Sequence, residues 1–453
     1  MVRCMTETHN DSGVSLISDL PADGEFFRTG NYAPVADELT ETNLTVTGTI
    51  PADLDGWYLR NGPNPRRAKG HWFTGDGMIH GVRLESGDAK WYRNRWVRTD
   101  SFVDPFPLYG PDGTRNLRAS VANTHVVNHA GRTLALVETS LPYEISNDLE
   151  TVGAYDFGGK LADSMTAHPK ICPTSGELHF FGYGNLSAPY VTYHRADAGG
   201  ELTVNRPVEV PALTMMHDFA MTAGHVVFMD LPIVFNLDLA IAGAGMPFRW
   251  DDGYGARFGV LRRDDPFGEI RWFDIDPCYI FHVANAHDSA DGNSIELQAV
   301  RYPELWRHDG GFDADGVLWS WTLDLSAGTV TERQLDDRGV EFPRIDDRLA
   351  GLPARYGVAV GGDRLVRYDL TDGSATEHTF GDGRPGEAVF VPAAGSSDES
   401  DGWYLAYVYD PARDGSDLVI VDAADFAGGP VATIHLPQRV PYGFHGNWIG
   451  THS

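Results

Sequence analysis

Tight turns carrying glycine recur along this chain between short β-rich runs, and they decide what it can fold into. Residues 82–92, 194–203, 321–330 and 366–375 each carry one strand into such a turn and straight out into a second strand. Glycine supplies the positive φ that hairpin turns of this kind need. More apolar runs lie between them, at 133–138, 225–229, 404–408 and 418–421, and long helical periodicity is nearly absent. Polar outer hairpins alternating with apolar inner strands are how the blades of a β-propeller read in one dimension. The strict self-similarity of WD40 or kelch arrays is missing, so the expectation is an all-β propeller of irregular repeats. The low-complexity stretch 393–402 is short and lies between two strands, which makes it a surface loop. The organisation expected is a disordered segment over 1–29 and a single propeller domain over 30–453.

Four histidines stand in extended, apolar settings in four separate parts of the chain: His168, His217, His282 and His445. Separations of 49, 65 and 163 residues exclude a shared helix face. They can meet only if the fold converges several elements on one axis, which a toroidal fold does. Neutral imidazole binds zinc, copper, iron and nickel. Against this, the chain has 17 histidines, and a lone buried histidine is more often a hydrogen-bonded core residue than a ligand.

The charge balance narrows the partners. With 35 basic against 64 acidic residues the net charge is −29, which argues against nucleic acid and against electrostatic attraction to anionic lipid. Cys4, Cys172 and Cys278 are odd in number and lack CxxC spacing, so neither a disulfide framework nor a thiolate zinc site follows. With no signal-like start, a cytoplasmic location is expected. No window reaches the ~18 uncharged apolar residues of a spanning helix. The nearest approach, 231–248, is interrupted by Asp238 and two prolines. It reads either as a buried loop or short helix under a cap, or as an exposed apolar lip giving peripheral membrane contact or admitting a greasy substrate.

GxSxG, GxxxxGK[ST] and HExxH are all absent, so nucleophilic and phosphoryl-transfer chemistry is not indicated. What is present is Gly56-Trp-Tyr-Leu-Arg-Asn-Gly-Pro-Asn-Pro65, then His71-Trp-Phe-Thr-Gly-Asp-Gly-Met-Ile-His-Gly81. These are followed in order by Ala122-Asn-Thr-His-Val-Val127, Tyr155-Asp-Phe-Gly-Gly-Lys160, Ala167-His-Pro-Lys170, Met216-His-Asp218, Glu341-Phe-Pro343, Glu387-Ala-Val-Phe-Val-Pro392 and Phe444-His-Gly-Asn-Trp448. Together they resemble the carotenoid cleavage oxygenases, a family that includes apocarotenoid oxygenases, stilbene-cleaving dioxygenases and the retinoid isomerohydrolase of the visual cycle. The likeness runs from about Gly30 to Trp448.

The resemblance implies a seven-bladed β-propeller, with loops and short helices capping its top face over an axial non-haem Fe(II). Position by position, the iron ligands would be His168, His217, His282 and His445. Glu138, Glu341 and Glu387 would receive the outer ring N–H of His217, His282 and His445 respectively, and His168 has no matching carboxylate. Four neutral imidazoles leave the metal its full charge, which nearby carboxylates would offset while fixing the tautomers. Thr124 matches a position beside the iron, where its methyl would restrict an open coordination site. His125 departs from the more usual asparagine and, by strand alternation, should point away from the metal if Thr124 points toward it. His71, His80, His129 and His287 match no ligand and are read as structural. Gly62 to Pro65 read as a turn near the core.

The implied reaction inserts both atoms of O₂ across one C=C bond of an apolar polyene, giving two carbonyl products. Stilbene cleavers carry a lysine in the strand before the first of the three glutamates. Val137 stands at that position here, which ranks a carotenoid or apocarotenoid substrate ahead of a stilbene. Two readings from other classes are a metal-dependent propeller hydrolase or lactonase and a carotenoid-binding protein without turnover.

Overall fold

The computed structural model describes residues 28–66, 72–242, 246–307 and 314–451. Residues 1–27 of the segment 1–29 expected to be disordered, and His71, lie outside the described residues. Seven β-sheets are arranged around one axis as a seven-bladed propeller. Their innermost strands, in chain order, are His125–His129, Lys170–Ile171, Ala220–Met221, Tyr279–Asp288, Glu341–Ile345, Val389–Pro392 and Gly446–Gly450.

The four glycine turns sit where the sequence puts them. Gly87, Gly200, Gly328 and Gly373 have φ of +79°, +86°, +73° and +77°, and each lies between two antiparallel strands of one blade. A strand in the middle of a blade such as Gly77–Glu85 is buried almost throughout, whereas an outer strand such as Leu202–Val208 alternates between buried and exposed positions. This is the period expected of a sheet that is wet on one side. Neighbouring blades interlock through large rings: Tyr193 meets Phe228 edge-on at 5.7 Å between centroids, and Phe258 meets Trp321 at the same distance. Truncating a fully buried ring of this kind costs about 3–5 kcal/mol.

Both ends of the described chain are tied into the ring. The C-terminal strand Gly446–Gly450 pairs with Gly56–Pro63, so one blade joins both ends of the fold. Ahead of it, Thr40–Glu41 extends the outer edge of that blade, while Thr45–Gly48 extends the blade before it by pairing with Ala432–His435.

One expectation needs correcting. Gly62 and Pro63 form no turn but end the strand Gly56–Pro63. Gly62 is required because a Cβ there would stand 2.7 Å from the Cα of Gly443, so two backbones touch at this point. The 231–248 segment forms the strand Ile233–Phe235, a helix Leu237–Ile241 and, in part, a return strand Phe248–Trp250. Both readings of the segment hold in part: Leu231 and Ile233 are buried, whereas Leu237 and Ile241 on the short helix are 63% and 76% exposed, with 243–245 outside the described residues. No helix among the described residues is long and apolar enough to cross a membrane.

Candidate metal centre

Each inner strand brings one residue to the axis at or near its start. In order around the ring these are Thr124, His168, His217, His282, Glu341, Glu387 and His445. Seven inner-strand segments thus assemble a site from residues more than 300 positions apart.

The four histidine rings converge. His168 Nε2 lies 3.0 Å from His217 Nε2, and His217 Nε2 lies 3.3 Å from His282 Nε2. The His445 ring is 4.6 Å from that of His168 and 4.7 Å from that of His282, between centroids. Outside them stand the three glutamates. His282 Nδ1 donates to Glu341 Oε2 at 2.5 Å, His445 Nδ1 donates to Glu387 Oε1 at 2.8 Å, and His217 Nδ1 lies against Glu138 Oε1.

This arrangement says what belongs in the middle. With Nδ1–H of His217, His282 and His445 committed to carboxylates, their Nε2 atoms carry lone pairs and no proton. Two such lone pairs facing at 3.3 Å repel unless a cation sits between them, either an added proton or a metal ion. A proton satisfies one pair of rings, whereas three rings whose ligand atoms all lie within 4.8 Å of one another, those of His168, His217 and His282, with the His445 ring packed beside them, call for a metal. Two nitrogens about 2.1 Å from one ion and at right angles to each other are about 3.0 Å apart, close to the two separations found. The residues therefore fit a metal.

Electrostatics point the same way for two of the four rings. Burial first, then the neighbouring rings, holds His168 and His445 well below the usual imidazole range, so both are neutral and able to bind a metal. Burial also depresses His282, but the facing Glu341 carboxylate more than reverses this and leaves its pKa raised.

Each carboxylate is itself held. Tyr183 OH donates to Glu138 and Tyr302 OH to Glu341 at 3.0 Å, both tyrosines being kept protonated by burial and by the carboxylate they face. Glu387 Oε2 accepts from Gly446 N at 2.8 Å and from Arg344 Nη1 at 3.3 Å. Phe342 stacks on His282 at 5.2 Å with φ at +53°, a strained conformation for a non-glycine residue beside a candidate site. Tyr183, Tyr302, Arg344 and Phe342 escape sequence reasoning, because nothing local marks a tyrosine two strands away as a carboxylate's partner.

The ring of histidines separates two cavities. Above it lies an apolar one of about 390 Å³, lined by Thr124, Val137, His217, Phe281, Phe444 and His445 among others, and roofed by Trp72, Phe73, Phe235 and Phe248 from the capping loops. Below it a second cavity, of about 320 Å³, is lined by His125, His168, Lys170, Asp218, Asn285 and Arg344 among others. Thr124 and His125 thus face opposite cavities, as strand alternation requires. Thr124 gives its hydroxyl hydrogen to Asn123 Oδ1 at 2.9 Å, and the His125 ring lies 5.1 Å from that of His445, with Nδ1 on Ala167 O at 2.7 Å. His80 and His129 are tied to Tyr92 OH and Gly176 O, both at 2.9 Å, and His287 lies on the far half of its strand, paired with Glu296.

A profile of the family described as "Retinal pigment epithelial membrane protein" matches residues 32–450. The chain is 38% identical to a carotenoid cleavage oxygenase of Mycobacterium tuberculosis, over 93% of this chain and 97% of that protein. It is 34% identical to a carotenoid 9,10(9',10')-cleavage dioxygenase of Crocus sativus, over 93% and 89% respectively. Among solved structures, the lignostilbene dioxygenase of Pseudomonas brassicacearum superposes with a TM-score of 0.85 at 28% identity, covering 95% of this chain and 99% of that one.

Proposed function

This chain belongs to the retinal pigment epithelial membrane protein family, with the carotenoid cleavage oxygenases, and is an oxygenase enzyme; on that premise we propose that it cleaves one C=C bond of a carotenoid or apocarotenoid with O₂, using Fe(II). The observation that carries this reading is the convergence of four histidine rings, three of them backed by buried carboxylates, on the floor of an apolar cavity. His168, His217, His282 and His445 are the iron ligands in this proposal. Residues 30–453 act as one propeller unit.

Bound iron would supply a redox-active centre with coordination positions left open by its four protein ligands. The chain's own residues do the rest. The apolar walls strip water from a rigid polyene and hold it by shape, so that the double bond over the rings is the one that reacts. Glu138, Glu341 and Glu387 keep the Nδ1 protons in place, which holds each ring in the metal-binding tautomer. The Thr124 hydroxyl is turned to Asn123, which leaves its methyl as the group that limits space above the rings. The reaction is balanced without a reductant: both oxygen atoms become carbonyl oxygens, and both electron pairs of the C=C bond end in the two C=O bonds.

The similarity to the lignostilbene dioxygenase keeps stilbene cleavage as the second reading. Val137, which lines the cavity where a lysine would meet a phenolic oxygen, disfavours it. The deciding experiment is anaerobic reconstitution with Fe(II), then chromatography of products formed in air from β-carotene, apocarotenals, retinoids and hydroxystilbenes. Aldehydes from a polyene support the proposal. Iron-loaded protein that leaves every polyene intact but cleaves a hydroxystilbene rejects it, and protein inert toward the whole panel rejects both readings.

A further inference from the structure

Arg60 lies in the strand Gly56–Pro63, 4% exposed, and among the described residues its guanidinium makes no hydrogen bond or ion pair, Nε being buried without a partner. The other buried guanidinium groups behave differently. Arg83 donates to Gly56 O and faces Asp55 and Glu85, Arg115 faces Asp163, and Arg344 bridges Glu387 and Asp347. A buried, unpaired charge is costly, and native proteins keep one where something else completes it.

Among the described residues that act on Arg60, the carboxylate is already engaged, and the remaining polar neighbour without a partner is the neutral Tyr407 hydroxyl. The carboxylate is that of Glu387, whose two oxygens already serve His445, Gly446 and Arg344. Burial accordingly pushes the Arg60 pKa down from its usual value, with Tyr58 and Glu387 opposing only in part. Meanwhile Arg60 lines the apolar cavity, and the two residues over its terminal nitrogens are glycines. A Cβ at Gly386 would stand 3.4 Å from Nη1, and one at Gly443 would stand 2.7 Å from Nη2. Both glycines line the same cavity, so at these two positions no side chain stands between the guanidinium and the cavity.

We propose that Arg60 receives an oxygenated end group of the polyene, a carboxylate above all, and so selects acid- or carbonyl-terminated apocarotenoids over hydrocarbon carotenes. The inference rests on the substrate reading above and adds a specificity-determining residue to it. A guanidinium is suited to this because its planar fork meets both oxygens of a carboxylate at once, and in an apolar cavity that contact is not diluted by water. A hydrocarbon end in the same place would leave the charge unpaired, so the discrimination comes from what the wrong ligand fails to supply.

The test compares two polyenes of equal length, one ending in a carboxylic acid and one in a methyl group. Binding to metal-free protein is read from quenching of tryptophan fluorescence, Trp72 being in the cavity wall, and KM and kcat are read separately on the iron-loaded enzyme. Wild-type protein is expected to bind the acid at least about tenfold more tightly than the hydrocarbon, as one charge-assisted contact allows. Arg60→Met brings that ratio close to one and acts on KM for the acid, while Arg60→Lys keeps part of the preference. Gly386→Ala, whose Cβ meets Nη1 at contact distance without positive φ, lowers the ratio with the charge intact and decides the matter should the Arg60 variants not fold. Equal affinity for the two polyenes in wild-type protein, or a ratio unchanged in Arg60→Met, overturns the anchor alone. Binding of neither polyene overturns the substrate reading, and the anchor with it.

Discussion

Glu387→Gln separates a carboxylate that positions a ligand from one that merely fills space. Glu387 is 2% exposed and has three donors on two oxygens: His445 Nδ1 on Oε1, and Gly446 N together with Arg344 Nη1 on Oε2. Glutamine keeps the shape but has one acceptor oxygen and one NH₂. The oxygen goes to the position with two donors, one of them cationic, which turns the NH₂ toward His445 Nδ1. Two donors then face each other, and the ring relieves the clash by moving its proton to Nε2, the atom that should bind metal. The alternative orientation leaves Gly446 N and Arg344 unsatisfied, at about 1–3 kcal/mol for a buried donor. Either way the expected result is a folded protein whose iron affinity falls about 10–100-fold, or about 1.4–2.7 kcal/mol. The assay is anaerobic competition for Fe(II) against a chelator, with metal content per chain and thermal unfolding followed in parallel. Unchanged affinity and unchanged turnover would refute the reasoning and remove Glu387 from the site's support.

His217→Ala takes away the ring that stands 3.0 and 3.3 Å from two others, and should abolish iron binding together with turnover; stoichiometric iron in the purified variant contradicts the ligand assignment. His80 is buried and neutral, pushed down to about 3 by burial first and by Arg60 second, with Nδ1 tied to Tyr92 OH. Its folded pKa lies below the ordinary imidazole value of 6.5, so its stabilisation is complete above about pH 6.5 and is lost as pH falls toward about 3. Chemical denaturation of wild type and His80→Gln across that window should differ by up to about 1.4 kcal/mol per pH unit, and parallel curves would exclude the effect. Leu237→Glu with Ile241→Glu should reduce co-sedimentation with neutral phosphatidylcholine vesicles if the exposed lip touches membrane, and equal sedimentation of wild type and variant removes that contact.

The blades were legible because their turns are local. Gly87 or Gly373 announces its hairpin within ten residues, whatever the rest of the chain does. The histidines were legible as a set only through the ordered motifs around them, since nothing about Met216-His-Asp218 alone says that Ile280-Phe-His282 lies beside it. What the sequence hid is what depends on distant strands meeting. Tyr183 and Tyr302 matter because of the carboxylates they reach, and Arg60 matters because of partners it lacks, neither of which is written in neighbouring residues. The misread turn at Gly62 has the same cause. Glycine there answers a close approach by Gly443, almost the whole chain away, and a local reading assigns every glycine to a bend.

The blade closed by Gly446–Gly450 has a consequence for the order of assembly. Strand Gly56–Pro63 is made early but must wait for a partner nearly 390 positions later, and His445 is the residue immediately before that partner. While the chain is still emerging from the ribosome, with domains tending to form from the N-terminal side, the nascent protein has three of its histidines and an open ring. Iron captured then would sit in a half-built, solvent-accessible cup. On the proposed iron reading, the last blade to close also completes the metal site, and a lesion in either of its two distant strands should lower iron content at temperatures where the fold is still intact.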